Sequence, residues 1–440
     1  MYKIDPSLRK RLLIARPDER IPIVIEMRQQ ADLESASLWA ARADRAEAIV
    51  NTLQATALQS QIGVRAFLAA GVIAGRASEV RPFWIFNGLA AHVVAEDITT
   101  LAARDDVGLI REDRYRQWVI QLPGVLRATT RLASRDHSTT RLASVEWGIA
   151  KIGADEVWTA LNISGAGVVV ANMDTGVDWQ HPALQAAYRG YNKGLTHHPG
   201  NWYDATDGGA IYPIDPHGHG THTMGTLVGS NGIGVAPGAR WIAARTLNAE
   251  GFGYDSWIHA GFQWILAPDG DPARAPDVLS NSWGNSVSDD TTFQNDLRLL
   301  RSAGTFVVFS NGNGGPLAAS VGSPASLPEA FAAGATDIED IVASFSSRGP
   351  SPWGEVRPHA SAPGVSVRSS IPGGGYTNAS GTSMAAPHVA GTIALMLSAD
   401  PSLTIADAAF ALTSTAVPLS TTIPNNDTGY GRIDAYAAVR

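Results

Sequence analysis

Four short segments carry residue types suited to nucleophilic chemistry. In NASGTSMAAPHVAG, residues 378–391, Ser383 stands where a glycine-containing loop gives way to an apolar helical stretch. A serine at such a junction exposes its hydroxyl and keeps its backbone N–H free of helix partners. One residue can then attack a carbonyl and donate to the oxyanion that forms. Pro387 is tolerated near a helix start, where the first N–H groups have no internal partner. In DPHGHGTHTMGT, residues 215–226, His219 lies between glycines at a second loop-to-helix junction, and a neutral imidazole is the usual base for a serine hydroxyl. In VVVANMDTGVD, residues 168–178, Asp174 follows an apolar run. A carboxylate at the end of a buried strand can hold one ring nitrogen of a histidine and fix its tautomer. FSNGNGG, residues 309–315, sets asparagine among glycines after another apolar run, where a side-chain amide can be aimed at a developing oxyanion. Singly, each has a plainer reading: an N-cap serine, a structural histidine, a strand-end aspartate bonding nearby backbone, a turn. Together they run Asp, His, Asn, Ser along the chain.

Positioning such groups needs a scaffold, and from residue 145 onward strands and helices alternate. Strand patterns fall at 168–173, 240–246, 278–281, 305–310 and 330–335, and helical patterns at 220–228, 255–266, 292–303 and 382–399. The order predicts an α/β domain with a parallel sheet, whose chemistry gathers beyond the carboxyl ends of the strands. The first 122 residues read differently. Strands are expected at 21–27, 82–87, 90–94, 107–110 and 117–122, with helices across 41–70 and 95–104, an order that fits a small ferredoxin-like α+β sandwich. Residues 123–144 are rich in Thr, Ser, Arg and Ala, contain TTRLAS twice, and read as an exposed linker open to proteolysis.

The chain has 440 residues, enough for two or three domains of ordinary size. With 45% hydrophobic and 17% charged residues it can bury a large core. Cysteine is absent, which removes disulfides, thiolate metal sites and a cysteine nucleophile. A net charge of −8 argues against nucleic acid as a partner. That charge is uneven: residues 1–144 hold 20 Lys+Arg against 16 Asp+Glu, net +4, and residues 145–440 hold 13 against 25, net −12. Two units of opposite sign attract. No apolar run is long enough for a membrane span, and the N-terminus shows no signal peptide.

The combined segments resemble subtilisin-family serine proteases, the subtilases. DTGVD, HGTH, the Gly312-Asn313 pair and GTSMAAPHVAG stand where that family has them, SNSWG at 280–284 matches its substrate-binding strand, and GYGRIDAYAAV at 429–439 its C-terminal helix entry. The resemblance implies a serine endopeptidase with Ser383 as nucleophile, His219 as base and then acid, Asp174 as its orienting carboxylate, and Asn313 with the Ser383 N–H as oxyanion hole. His222 would pack structurally. It also implies that Ser282, Trp283 and Gly284 offer an edge strand to an extended peptide, with Gly251, Phe252 and Gly253 on the other side. The first pocket would be lined by Gly284, Ser310, Asn311 and Gly312 with Gly322 near its base, which suits large apolar side chains. Ser323-Pro324 stands where the family often has a cis-proline.

The family's strong calcium site is in doubt, since Ala183 replaces its aspartate and the loop 229–235 is short. Asp204, Asp207 and Asp215 offer other oxygen ligands for a structural Ca²⁺, although a solvated acidic loop is the plainer reading. No cofactor is required for the chemistry. By position, residues 1–122 resemble the family's inhibitory propeptide, an intramolecular inhibitor and folding aid released by self-cleavage in the linker, where Leu126, Leu132 and Leu142 are candidate sites. The expected partners are protein or peptide substrates, in a monomer acting outside the cell. Two rivals remain: a metallohydrolase using His217, His219 and His222, in which Thr221 stands where such a motif has its acid, and a protease-like binding module without activity. No G-x-S-x-G elbow supports an α/β-hydrolase.

Overall fold

The computed structural model describes residues 3–34, 41–119 and 145–440. In the N-terminal unit, helix α1 (Pro6–Leu12) and strand β1 (Arg20–Met27) are followed by helices α2 (Arg42–Ser60) and α3 (Ile62–Ile73), the hairpin β2 (Ala77–Phe83) and β3 (Gly88–Val94), helix α4 (Ala95–Ala103) and strand β4 (Val107–Glu112). The antiparallel sheet has the order β2-β3-β1-β4. Alternation along β1 sends Ile21, Ile23 and Ile25 into the unit's own core, with Leu68 of α3 and Leu101 of α4, and Val24 to the opposite face. That opposite face is shared. Ile49, Val50 and Leu53 of α2, at helical spacing, join Val24, Phe86 and Trp118 in one apolar cluster with Trp257, Phe262 and Trp264 of the second unit.

The strand expected at 82–87 is displaced. Pairing runs from Ala77 to Phe83, and Trp84 to Asn87 form the turn, with Asn87 at φ 44°. This turn is apolar because it is an interface. Gln263 accepts from the N–H groups of Trp84 (2.7 Å) and Ile85 (3.2 Å), and the Phe86 ring lies 4.4 Å from that of His259. The last expected strand is also corrected. Strand β5 (Tyr115–Gln117) leaves the N-terminal sheet and pairs with the second unit, while residues 120–122 lie outside the described residues, as does the linker with its candidate cleavage sites.

The second unit opens with short helices α5 (Trp147–Lys151) and α6 (Ala154–Ala160). There follow β6 (Val169–Asp174), β7 (Trp202–Asp204), α7 (His219–Val228), β8 (Arg240–Arg245), β9 (Phe252–Tyr254), α8 (Asp255–Leu266), β10 (Val278–Asn281), α9 (Gln294–Ser302), β11 (Phe306–Ser310), β12 (Phe331–Thr336) and β13 (Ala360–Pro363). The hairpin β14 (Val367–Ile371) and β15 (Gly375–Ala379) leads into α10 (Thr382–Ala399), α11 (Ile405–Ser414) and α12 (Ala435–Val439). Seven strands form one parallel sheet, in the order β13-β12-β11-β10-β6-β8-β7. Its strands are buried on both faces, as parallel sheets are. Asp174, Asn281, Ser310 and the turn after Arg245 therefore emerge at one edge. Among the described residues no helix is long and apolar enough to cross a membrane.

Candidate active site

Asp174 ends the central strand β6 and is fully buried. Its carboxylate accepts from the Thr175 N–H (2.7 Å), and its two oxygens lie 2.8 and 3.0 Å from His219 Nδ1. That contact makes Nδ1 the protonated nitrogen and leaves Nε2 as the base. Burial works against a charged His219 ring, but the Asp174 charge and hydrogen bond override it, and the pKa is held above its ordinary value.

His219 is the first residue of α7, and the loop before it is fixed by one side chain. Asp215 accepts from the N–H groups of His217, Gly218 and Thr221 and from the Thr175 and Thr221 hydroxyls. It acts as a carboxylate cap on the helix N-terminus. Gly220 has a steric reason: a Cβ there would lie 2.1 Å from the Gly176 carbonyl and 3.0 Å from the Asp174 Cβ. Any side chain would push the histidine helix off the aspartate strand.

Ser383 is the second residue of α10. Pro387 lies inside this helix rather than in its first turn, so the expectation of a start-position proline is corrected. Lacking an N–H, Pro387 leaves the Ser383 carbonyl without its helical donor. The Ser282 hydroxyl supplies one, at 2.8 Å, and the Ser383 hydroxyl donates to the Ser282 carbonyl at 3.0 Å. This reciprocal pair ties the nucleophile candidate to the strand expected to bind substrate. Among the described residues Ser383 Oγ has no hydrogen bond to His219; a rotation about χ1 separates this arrangement from one that would use the imidazole.

Asn313 accepts from both the N–H and the hydroxyl of Thr382, each at 2.9 Å. This fixes the amide: Oδ1 is engaged and Nδ2 is presented. Gly381 reports where it points. A Cβ at that residue would lie 3.5 Å from Asn313 Nδ2 and 3.6 Å from the Ser383 backbone nitrogen. Two nitrogens thus border one small space beside Gly381 that a side chain there would fill.

The residues read as substrate-binding divide. Gly251, Phe252 and Gly253 do offer an edge, and it is occupied: β5 pairs antiparallel with β9, the Trp118 and Val119 N–H groups donate to the Gly251 carbonyl (2.9 and 3.2 Å), and the Gly284 N–H donates to the Trp118 carbonyl (3.2 Å). Trp283 contributes a pocket wall rather than an exposed side chain. Its indole donates to the Met173 carbonyl (2.8 Å), and its ring, with that of Phe293, encloses Trp118, which is 1% exposed. Gly284, Gly312 and Gly322 sit in mutually close backbone: a Cβ on Gly284 would lie 3.0 Å from the Ser323 carbonyl, and one on Gly312 would lie 3.6 Å from the Gly322 nitrogen. Ser310 is buried at the end of β11. The Asn311 side chain is fully buried and donates to the Ser347 carbonyl (2.6 Å), so only its backbone could face a pocket. The Ser323-Pro324 bond is cis.

The other histidines do not build a metal centre. His222 donates from Nε2 to the Thr377 carbonyl (3.1 Å), and burial pushes its pKa down to about 4. His217 lies 6.1 Å from His219, ring to ring, and its pKa falls through burial and the neighbouring imidazole. No group of three His, Asp or Glu suited to a metal occurs among the described residues. Two of the three carboxylates read as possible calcium ligands are already engaged by protein groups. Asp215 is spent on the His219 loop, and Asp204 accepts from Thr206, Ala210 and Arg245.

The site also contains residues the sequence reading passed over: Thr382, the capping role of Asp215, and Trp118. The threonine stood inside GTS and could have been noticed as an amide partner. Trp118 carried no local signal.

Comparison with known proteins identifies the family. The model of the subtilase family, Peptidase S8, matches residues 165–431. Bacillopeptidase F of Bacillus subtilis (strain 168) is 38% identical over 476 aligned residues, covering 99% of this chain and 32% of that protein, so the chain spans about a third of its length. M-protease of Shouchella clausii (strain KSM-K16) is 33% identical over 391 residues, 84% of this chain and 94% of its own. Subtilisin E of Bacillus subtilis (strain 168) is 35% identical over 312 residues, 69% and 74% respectively. The chain belongs to the subtilase family of serine endopeptidases.

Proposed function

We propose that this chain is a serine endopeptidase made as a self-processing zymogen. Ser383 Oγ attacks the peptide carbonyl while His219 Nε2 takes its proton. Asp174 stabilises the resulting imidazolium, and Asn313 Nδ2 with the Ser383 N–H holds the oxyanion. The imidazolium then protonates the leaving amine, and water repeats the sequence on the acyl-enzyme. Every group in this cycle comes from the chain, so no cofactor is needed. The observation that carries the reading is the pair of nitrogens, Asn313 Nδ2 and the Ser383 backbone N, that border one small space, together with the buried Asp–His pair. The small residues around Gly284, Gly312 and Gly322 favour a large apolar side chain before the cut, with otherwise broad selectivity.

The N-terminal unit acts as inhibitor. Its tail lies between β9 and Gly284 as an extended peptide would, by strand addition. Asp113 of this unit caps helix α8 of the second unit by accepting from the Ser256 N–H (2.9 Å). Domain limits at 122 and 145, cleavage within 123–144, a monomeric state and action outside the cell complete the reading. A serine-directed fluorophosphonate tests it: peptide mapping should find the label on Ser383 and nowhere else. Inactivation by a chelator with no label on Ser383 would instead favour the metallohydrolase.

A further inference from the structure

Two carboxylates at the edge of the cleft are met by arginines of the N-terminal unit. Asp255, the first residue of α8, has a side chain 0% exposed. Among the described residues its carboxylate is bonded by three side chains, and all belong to that unit: Arg114 Nε (2.9 Å), Arg116 Nε and Nη2 (3.2 and 3.0 Å) and Arg111 Nη1 (3.4 Å). Asp290, with a side chain 7% exposed, accepts from Arg116 Nη1 (2.9 Å) and Arg114 Nη2 (3.3 Å). Among the described residues its own unit supplies only Thr292 and a long contact from Asn285 (3.4 Å).

Arg116 is not a peripheral contact. It is in β5, its backbone is paired with Gly253, and its guanidinium lies 4.4 Å from the ring of Trp118 two residues on. Strand pairing sends alternate side chains to alternate faces, so the position is fixed by main-chain bonds that any extended peptide can make. The carboxylates are thus a feature of the cleft, and the arginine is the occupant's.

We propose that Asp255 and Asp290 form a selectivity site for a guanidinium group on the substrate, two residues before the side chain that fills the Trp283–Phe293 pocket. This deepens the protease reading above and rests on it. Release of the N-terminal unit leaves two carboxylates bordering the cleft without their arginines, and a buried or half-buried carboxylate without a cation is unfavourable. A substrate arginine restores the guanidinium contacts to both carboxylates, Nε and Nη2 to Asp255 and Nη1 to Asp290, which a lysine or glutamine cannot match. The preferred substrates are therefore polypeptides with arginine upstream of a large aromatic residue, on the amino side of the cut.

The test is an internal competition. Full-length protein, after its linker opens, is given equal amounts of two peptides, one copying residues 113–130, which includes the bond after Leu126, and one identical except for Arg116→Gln. Mass spectrometry follows the loss of each, so the ratio does not depend on how much enzyme is active. The arginine peptide should disappear about tenfold faster, with the advantage shrinking in high salt. Asp290→Asn should bring the ratio to within about twofold of unity. Equal loss of both peptides in the unmodified protein overturns the proposal, as does an arginine advantage that survives in both Asp255→Asn and Asp290→Asn. If neither peptide is cut, the protease reading fails by itself. The same peptides, fluorescently labelled, then decide the site by anisotropy: tighter binding of the arginine form supports it, and equal binding overturns it.

Discussion

The Asp174–His219–Ser383 edge and the seam where the N-terminal tail lies differ in how they are held. At the catalytic edge, positions are set by backbone and by short local caps such as Asp215. A central strand ends at the aspartate, two helices begin at the histidine and next to the serine, and glycines allow the approaches. At the seam, positions are set by long side chains reaching across: Arg42 to Asp277 and the Pro276 carbonyl, Arg45 to the Ser302 carbonyl, and Arg114 and Arg116 to Asp255 and Asp290. Apolar burial and main-chain pairing join them. The contrast suits a permanent reaction centre and a removable inhibitor. On the proposed reading, the first keeps its backbone in place and the second would lose its hold once the chain is cut and the attached arginines become a separate molecule.

The largest effect should come from breaking the permanent side. Ser383→Ala should lower kcat on the order of 10⁶, the size seen for the nucleophile of a subtilisin, with the fold intact by circular dichroism. Asn313→Ala should lower kcat by about 10²–10³ with little change in KM, again a figure from a subtilisin. A change confined to KM would remove Asn313 from the oxyanion site.

These two predictions rest on residues that were legible in the sequence, and the reason is physical. A loop that becomes a helix at a named serine or histidine is written locally, in glycines and caps a few residues apart. Strand β6 and helix α10 were legible for the same reason, as continuous apolar runs. The capping box from Thr404 to Asp407 that opens α11 was equally local, though the expected helices did not include it. The rest was not local. Strand β13, Ala-Ser-Ala-Pro, has no β-branched residue and is a strand only because β12 pairs with it. The Trp84–Asn87 turn looked like a strand because its apolar residues serve a partner 170 or more positions away. By residue type and local setting alone Asn311 and Asn313 look alike in FSNGNGG, and only the family resemblance picks out Asn313; in the fold Ser347 claims one and Thr382 the other.

Loosening the removable side should have intermediate effects. Trp118→Ala empties the aromatic pocket and should weaken the tail's hold by about 3–5 kcal/mol, read as a shorter lag before peptide hydrolysis begins. An unchanged lag would mean that the tail is not what restrains the enzyme.

The smallest effects are in pH. Because Asp174 raises the His219 pKa against burial, the neutral, active ring predominates only above the ordinary imidazole range. The acid limb of kcat/KM should therefore have its midpoint above about 6.5. Asp113 is pushed up to about 6 by burial, above its ordinary 3.8. The seam thus gains stability from the protonated form, which is full below the ordinary value and lost as pH rises through about 6. Calorimetry of Ser383→Ala protein should show this slope between pH 4 and 6, and Asp113→Asn should flatten it.

The most direct measurement is intact mass after side-by-side incubation of wild-type and Ser383→Ala protein. The account predicts that the wild-type chain splits within residues 123–144 and that the variant stays whole. Cleavage of the variant at the same place, with no added protease, would contradict it.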